Sequence, residues 1–342
     1  MKNSHKKAAA SYAVNLVLVL LLFAALYFLV SSGTVNRYYA DLISLVCINV
    51  TLAVSLNLVT GVLGQLVLGH AGFMLVGAYA CALFTKSSAL PISVSFPIGL
   101  VLAGLMSAVF GVVIGVPALR LRGDYLAIIT LGFGEIIRVV ANNLKITGGA
   151  MGLSGIQAIA NRKNPAGMLP YAFFIAAAAI FISFAFARSR HGRAVIAIRE
   201  DEIAAEASGI NTTYYKLLAF VLAAFIAGVA GGLYAHHLGV IDPAKYDFNR
   251  SVEILIMVVL GGMGSITGSV ISASVLTVLP EALRSFSNYR MLAYSIVLIC
   301  VMLFRPTGLL GKYEFSLSGT VARFTGKKKP AAAGGVKGGG AQ

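Results

Sequence analysis

Long apolar runs separated by short polar or glycine-rich stretches set the pattern of this chain. They lie at about 12–30, 39–59, 65–85, 93–117, 125–141, 169–187, 217–236, 251–263, 266–283 and 290–304. Most approach the roughly 20 residues that an α-helix needs to cross a hydrocarbon core, where only helices and closed barrels satisfy their own backbone. The spacing therefore predicts an all-α polytopic membrane protein with about ten transmembrane helices. The runs 251–263 and 266–283 are short and meet at Gly261-Gly262-Met263-Gly264. They predict two short spans, or one span with a re-entrant piece; with the second form, eight spans are possible if one other run also does not cross.

Composition agrees with the pattern. Of the 342 residues, 58% are hydrophobic and only 11% charged, with a mean hydropathy of +0.87. Soluble domains carry about 25% charged residues, and a soluble fold would still have to clothe its outside with this chain. The first run follows Lys2, Lys6 and Lys7. It is longer than the apolar core of a signal peptide and more spans follow, so it is read as a retained first helix. Tyr38-Tyr39, Tyr171 and Tyr214-Tyr215 stand at the starts of apolar runs, where they suit a membrane interface in a chain with no Trp.

The net charge of +15 lies between the apolar runs and at the ends. Placing both ends of the chain in the cytoplasm puts the larger share of the 27 Lys and Arg on the inner side, as the positive-inside rule requires, and an even number of spans follows. The same placement makes nucleic-acid binding an unnecessary explanation for the charge. Residues 1–11 read as a cytoplasmic tail, 12–310 as the transmembrane domain, and 311–342, with Lys327-Lys328-Lys329 and a Gly/Ala-rich end, as a disordered basic cytoplasmic tail.

Polar residues inside or between the runs are the candidates for function. The inner loop 188–216 holds a short helix: Glu200, Asp201 and Glu202 put negative charge on its first turn. Ala204, Ala205, Glu206 and Ala207 favour helix, and Gly209 suits the left-handed stop after it. Asn211 or Thr212 can cap the next span. Such a helix suits docking on a cytoplasmic partner, or is a solvated connector. Gly61, Gly64 and Gln65, like Gly261 and Gly264, interrupt apolar runs. Broken backbone at membrane depth points to a translocation path or to close helix packing.

His70, inside the third run, is read as a structural hydrogen bonder or a proton relay. Glu135 and Arg138, at i and i+3 on the fifth run, can neutralise each other or face a cavity. His236-His237 read as interfacial. Cys47, Cys81 and Cys300 are far apart and read as buried free thiols. No phosphate-binding loop, metal cluster or catalytic constellation is legible, so the chain is expected to use no cofactor and catalyse no reaction itself.

Five blocks in this chain resemble the branched-chain amino-acid ABC transporter permease family. They are GQLVLGHAGFMLVGAYA (64–80), LRLRGDYLAIITLGFGEIIR (119–138), TGGAMGLSGI (147–156), GRAVIAIREDEIAAEASGIN (192–211) and VVLGGMGSITGSVISA (258–273). The fourth contains Ala204-Ala205 and Gly209 at the spacing of the family's coupling loop. Ile203 stands where the signature has Glu, and the acid falls one place earlier, at Glu202. The resemblance implies an ATP-driven importer in the bacterial inner membrane. Its parts are this permease, a sister permease, two cytoplasmic ATP-binding subunits and a periplasmic binding protein. It also implies that Glu200, Glu202, Ala204, Ala205, Glu206 and Gly209 couple to the ATPase. Competing expectations are a permease of the same kind for urea, short amides or a sugar, an ion-coupled secondary transporter, and an assembly protein that transports nothing.

Overall fold

The computed structural model describes residues 19–31, 36–119, 123–159 and 167–283, with a few isolated positions besides. The tails 1–11 and 312–342 and nearly all of the run 290–304 lie outside the described residues. Every apolar run within them is helical. The helices are α1 (Val19–Ser31), α2 (Arg37–Asn57), α3 (His70–Ser87), α4 (Ile92–Ala118), α5 (Asp124–Asn143), α6 (Leu169–Arg188), α7 (Arg190–Glu200), α8 (Glu202–Ala207), α9 (Thr212–Leu238), α10 (Phe248–Gly261) and α11 (Ile266–Ala282).

Five of these are long and apolar enough to cross a membrane: α2 with its π-helical extension to Val62, α4, α5, α6 and α9. The expected ten are therefore not reached among the described residues. α10 and α11, of 14 and 17 residues, are joined by a four-residue turn. At about 1.5 Å per residue neither matches a hydrocarbon core about 30 Å thick. They form a helical hairpin, in which a β-carbon at Gly261 would overlap the backbone of Gly268. The third run also differs from its expected bounds. Residues 63–69 are irregular and α3 begins at His70.

Lipid tails are as apolar as Leu, so helices in a membrane associate through close packing and hydrogen bonds rather than through exclusion of water. The centre of this molecule is built that way. α9 packs on α3 where Gly77 faces Gly228 and Gly231 faces the Met74 carbonyl, each approach too close for a β-carbon. α4 joins them through Gly111 against Ala224, and Ser107 donates to the Phe73 carbonyl at 2.9 Å. His236 closes the far end. It is 1% exposed, bonds Thr85 Oγ1 at 3.0 Å and lies against the Phe96 ring. The interfacial reading of His236 is thus corrected: a helix-packing position encloses it. Cys47 and Cys81 are buried free thiols, as expected.

The outer faces differ in character. α4 exposes Val101, Leu105, Val109, Val112, Val113 and Val116, an aliphatic surface suited to lipid. α5 is the least buried of the five candidate spans, at 22% of its apolar window, whereas α2 reaches 78%.

Candidate functional site

The loop 188–216 folds as two helices rather than one. α7 ends at Glu200, and Asp201, in extended conformation, starts α8. Asp201 Oδ1 accepts from the N–H groups of Ile203 and Ala204 at 2.9 and 3.0 Å. Glu200 therefore closes the preceding helix and does not open α8. The correction has a simple cause: Asp satisfies orphan N–H groups from the cap position, while Glu favours the helix interior. The other end follows the expected chemistry. Gly209 has φ +83°, its N–H donates to Glu206 O at 2.9 Å, and Ile210 N–H donates to Ala205 O at 3.1 Å. That pair of bonds is a Schellman stop, which needs a left-handed residue at this position. Asn211, rather than Thr212, then caps α9 through Tyr214 N–H at 3.1 Å.

Two polar contacts in particular tie this loop to the spans. Lys216, in the second turn of α9, is 2% exposed and meets Glu202 at 2.8 Å. It fastens α8 against α9, with Ala205 turned inward at 4% exposed and Ile203 left 70% exposed. The second contact is made by Arg199. Its Nη1 donates to the Gly61 carbonyl at 2.9 Å, and its Nη2 pairs with Glu200 at 2.5 Å.

Gly61 is also where the two glycine-rich strings meet. A β-carbon on Gly61 would overlap Asn57 Oδ1 and the backbone N of Gly264. Asn57 Oδ1 accepts from Gly264 N–H at 2.9 Å. Gly64, at φ +78°, lies against the Arg199 stem, and Gly264, at φ +89°, lies 3.5 Å from Arg199 Nη1, as measured from the β-carbon it would carry. Segments about 200 residues apart thus form one seam with an arginine of the inner loop across it. Gly61 also falls in the π-helical turn Leu58–Val62, a form often found at functional positions. Gln65 follows it, half-buried, with Oε1 lacking a partner among the described residues.

The remaining candidates sit elsewhere. His70, 2% exposed, bonds Ser55 Oγ through Nε2 at 2.7 Å, a buried link from the start of α3 to α2. Gly261 belongs to the α10–α11 hairpin. Glu135 and Arg138 form the expected ion pair, with Nη2 and Nε at 2.6 and 2.7 Å from Glu135 Oε2, and both side chains about three-tenths exposed at 31% and 27%. Glu135 also lines a cleft with Leu68, Gly72, Tyr246, Asp247 and Ser251. Among the described residues no three His, Cys, Asp or Glu gather as a metal site would require.

Sequence reasoning missed Asn57, Arg199 and Lys216. Asn57 had a usable signal, an amide just before a glycine break in a mostly apolar run. The other two carry none without knowledge of which segments meet.

A polytopic helical membrane protein with interrupted helices beside a polar loop suits a transport component. The chain belongs to the family described as branched-chain amino acid transport system / permease component, whose model matches residues 38–305. It is 38% identical over 323 residues to the high-affinity branched-chain amino acid transport system permease protein LivM of Escherichia coli, covering 86% of this chain and 74% of that one. Over 138 residues it is 41% identical to the permease protein LivH of Salmonella typhimurium, covering 40% and 43%. A probable LivM of Methanocaldococcus jannaschii is 23% identical over 232 residues, covering 62% and 67%. Among solved structures, a chain of PsaBC from Streptococcus pneumoniae in complex with Fab matches 90% of this chain and 99% of its own. Its TM-score is 0.41 at 14% identity, too weak a likeness to carry an argument.

Proposed function

We propose that this chain is the transmembrane permease subunit of an ATP-driven importer of Leu, Ile and Val in the bacterial cytoplasmic membrane, with both ends of the chain in the cytoplasm. It forms half of the translocation path, beside a sister permease. Two cytoplasmic ATP-binding subunits supply the energy, a periplasmic binding protein delivers the amino acid, and this chain needs no cofactor. The substrate reading is supported by the relatives, named as branched-chain amino acid permeases at 38% identity.

The mechanical reading rests on one observation, the bond from Arg199 to the Gly61 carbonyl. α8 presents Ile203, 70% exposed, with Glu206 and Ala207 beside it. A groove on the ATPase that takes this face moves α8, and the Lys216–Glu202 pair passes the movement to α9. α7 carries Arg199 with it. Because Arg199 lies across the seam of Gly61, Gly64 and Gly264, displacement of the loop opens or closes that seam. Glycines absorb the backbone change at little cost. Glu202, Ala204, Ala205, Glu206 and Gly209 thus shape and dock the coupling helix, and Glu200 holds Arg199 at its base.

The test is uptake into proteoliposomes holding all subunits and the binding protein. Labelled Leu should enter only with ATP inside the cytoplasmic face, and Ile and Val should compete. Competition by urea or ribose alone would assign the importer to another solute. Uptake driven by an ion gradient without ATP would reject the class.

A further inference from the structure

The outer face of α5 has the opposite character to that of α4. α4 carries no charged residue along its 27 positions, and its exposed face is aliphatic. α5 exposes Tyr125, Ile128, Ile136, Val139 and Val140 at 72, 63, 56, 50 and 48%, and sets the Glu135–Arg138 pair beside them with about three-tenths of each side chain open, at 31% and 27%. Steps of three and four residues keep to one side of a helix. Tyr125, Ile128, Gly132, Ile136 and Val139 therefore form one stripe along α5, with Glu135 on its border. The 20 residues of α5 span about 30 Å, the thickness of a hydrocarbon core. Glu135 lies about 16 Å along the helix from Asp124, near the middle of that core.

Charges at that depth are costly against lipid tails and are kept where they meet a cavity or a partner. The stripe beside the pair is aliphatic, and a water-filled cavity suits it no better. The mismatch continues past the helix. Leu144, Ile146 and Met151 follow the end of α5, at or beyond the edge of the core, and are 46, 67 and 93% exposed where lipid tails do not reach. At the centre of the stripe, Gly132 has nothing within 4 Å of the β-carbon it lacks. It is a notch that no described residue fills, of the kind that lets a second helix come close. Charge inside the core, apolar side chains outside it and an open glycine between them suit neither lipid nor water. All three suit a covering protein.

We propose that the α5 face from Tyr125 through Gly132 to Val139 is the surface on which the sister permease packs one of its transmembrane helices. Gly132 is the point of closest approach, and the segment 144–151 extends the contact beyond the membrane. The assignment rests on the importer reading above and adds which surface joins the two halves of the path. Only a membrane-spanning partner can cover this stripe. The ATP-binding subunits and the binding protein stand on the two sides of the bilayer and do not reach Glu135 at mid-depth, whereas a second permease carries helices of the required length. Its helix meets the Glu135–Arg138 pair with polar groups and Ile128 and Val139 with aliphatic ones, the close packing and interhelical hydrogen bonding by which helices join in lipid.

A photoreactive benzophenone side chain placed at Ile128, at Val139 and, as the control, at the 55% exposed Val109 of α4 reads the neighbour of each position in membranes holding the complete importer. Ile128 and Val139 should give adducts with the sister permease, and Val109 with lipid alone. Gly132→Leu fills the notch. The purified chain should be as abundant and as helical in detergent as the wild type, because nothing within it opposes the added side chain. Recovery of the sister permease on a tag carried by this chain should fall about tenfold, the scale of one overpacked contact. Lipid adducts alone from Ile128 and Val139, with the sister permease still copurifying, would overturn the interface and leave the importer reading intact. Adducts between two copies of this chain, or undiminished recovery of the sister permease with Gly132→Leu, would do the same. A wild-type chain that recovers no second permease would overturn the importer reading as well.

Discussion

Lys216 is shut inside the protein at 2% exposed, and its ammonium meets Glu202 of α8 at 2.8 Å. A buried pair adds little net stability, but breaking one side strands a charge. Glu202→Gln should therefore cost about 3 kcal/mol, at the lower end for such changes because Glu202 is 25% exposed. Membrane content of the subunit should fall. Glu202→Gln with Lys216→Met should restore the content while ATPase copurification stays low, because α8 is no longer fastened to α9. Equal copurification for the double variant and the wild type would remove the pair from the coupling path.

Gly209 has φ +83° and open space around its missing β-carbon. Any loss in Gly209→Val is then backbone strain of about 1 to 3 kcal/mol, not a clash. Insertion into the membrane should be unchanged, while ATPase copurification and uptake both fall. Gly209→Asn, which tolerates the left-handed region, should recover most of both. If Val is as active as Gly, the stop of α8 has no part in coupling.

Gly61 and Gly132 make a matched pair of tests. A β-carbon at Gly61 would overlap Asn57 and Gly264, whereas Gly132 has nothing within 4 Å. Gly61→Ala should cost about 3 kcal/mol by forcing the seam apart, visible as less folded protein and lost uptake. Gly132→Ala should leave folding in detergent unchanged and favour the helix slightly.

Orientation is checked by single cysteines at Ser4, Ser189, Ser318 and Asn161. In intact cells an impermeant thiol reagent should reach only the Asn161 position. Labelling at Ser189 with protection at Asn161 would invert the topology and place α8 on the wrong side for an ATPase.

Helix positions were legible because lipid imposes a simple rule on composition, and every apolar run among the described residues is helical. Ends were less so. The run 65–85 loses its first residues to the irregular stretch before His70, since Gln65 to Gly69 are apolar enough to pass as helix but are held by Thr130 and Val59 instead. The acids of the loop 188–216 gave a short helix but not its start, because Glu200 and Asp201 are alike in charge and differ only in reach. The Glu135–Arg138 pair could be read from its spacing alone. The Arg199 bond could not, because it joins residues 138 apart in sequence and a local pattern carries no information about such a meeting.

The backbone contacts at Gly77–Gly228 and Gly231–Met74 bear on how force divides through the molecule. With no side chains between them, α3 and α9 have no rotamers to exchange and no gap to close. Sliding one past the other would drive main chain into main chain. Together with α4 they form a stiff keel, and strain delivered at α8 is relieved at the positive-φ glycines Gly64, Gly262 and Gly264. The α10–α11 hairpin, rather than the keel, is then the part expected to swing, and labels on the exposed Met263 and on the exposed Val109 of α4 should report large and negligible distance changes across the ATP cycle.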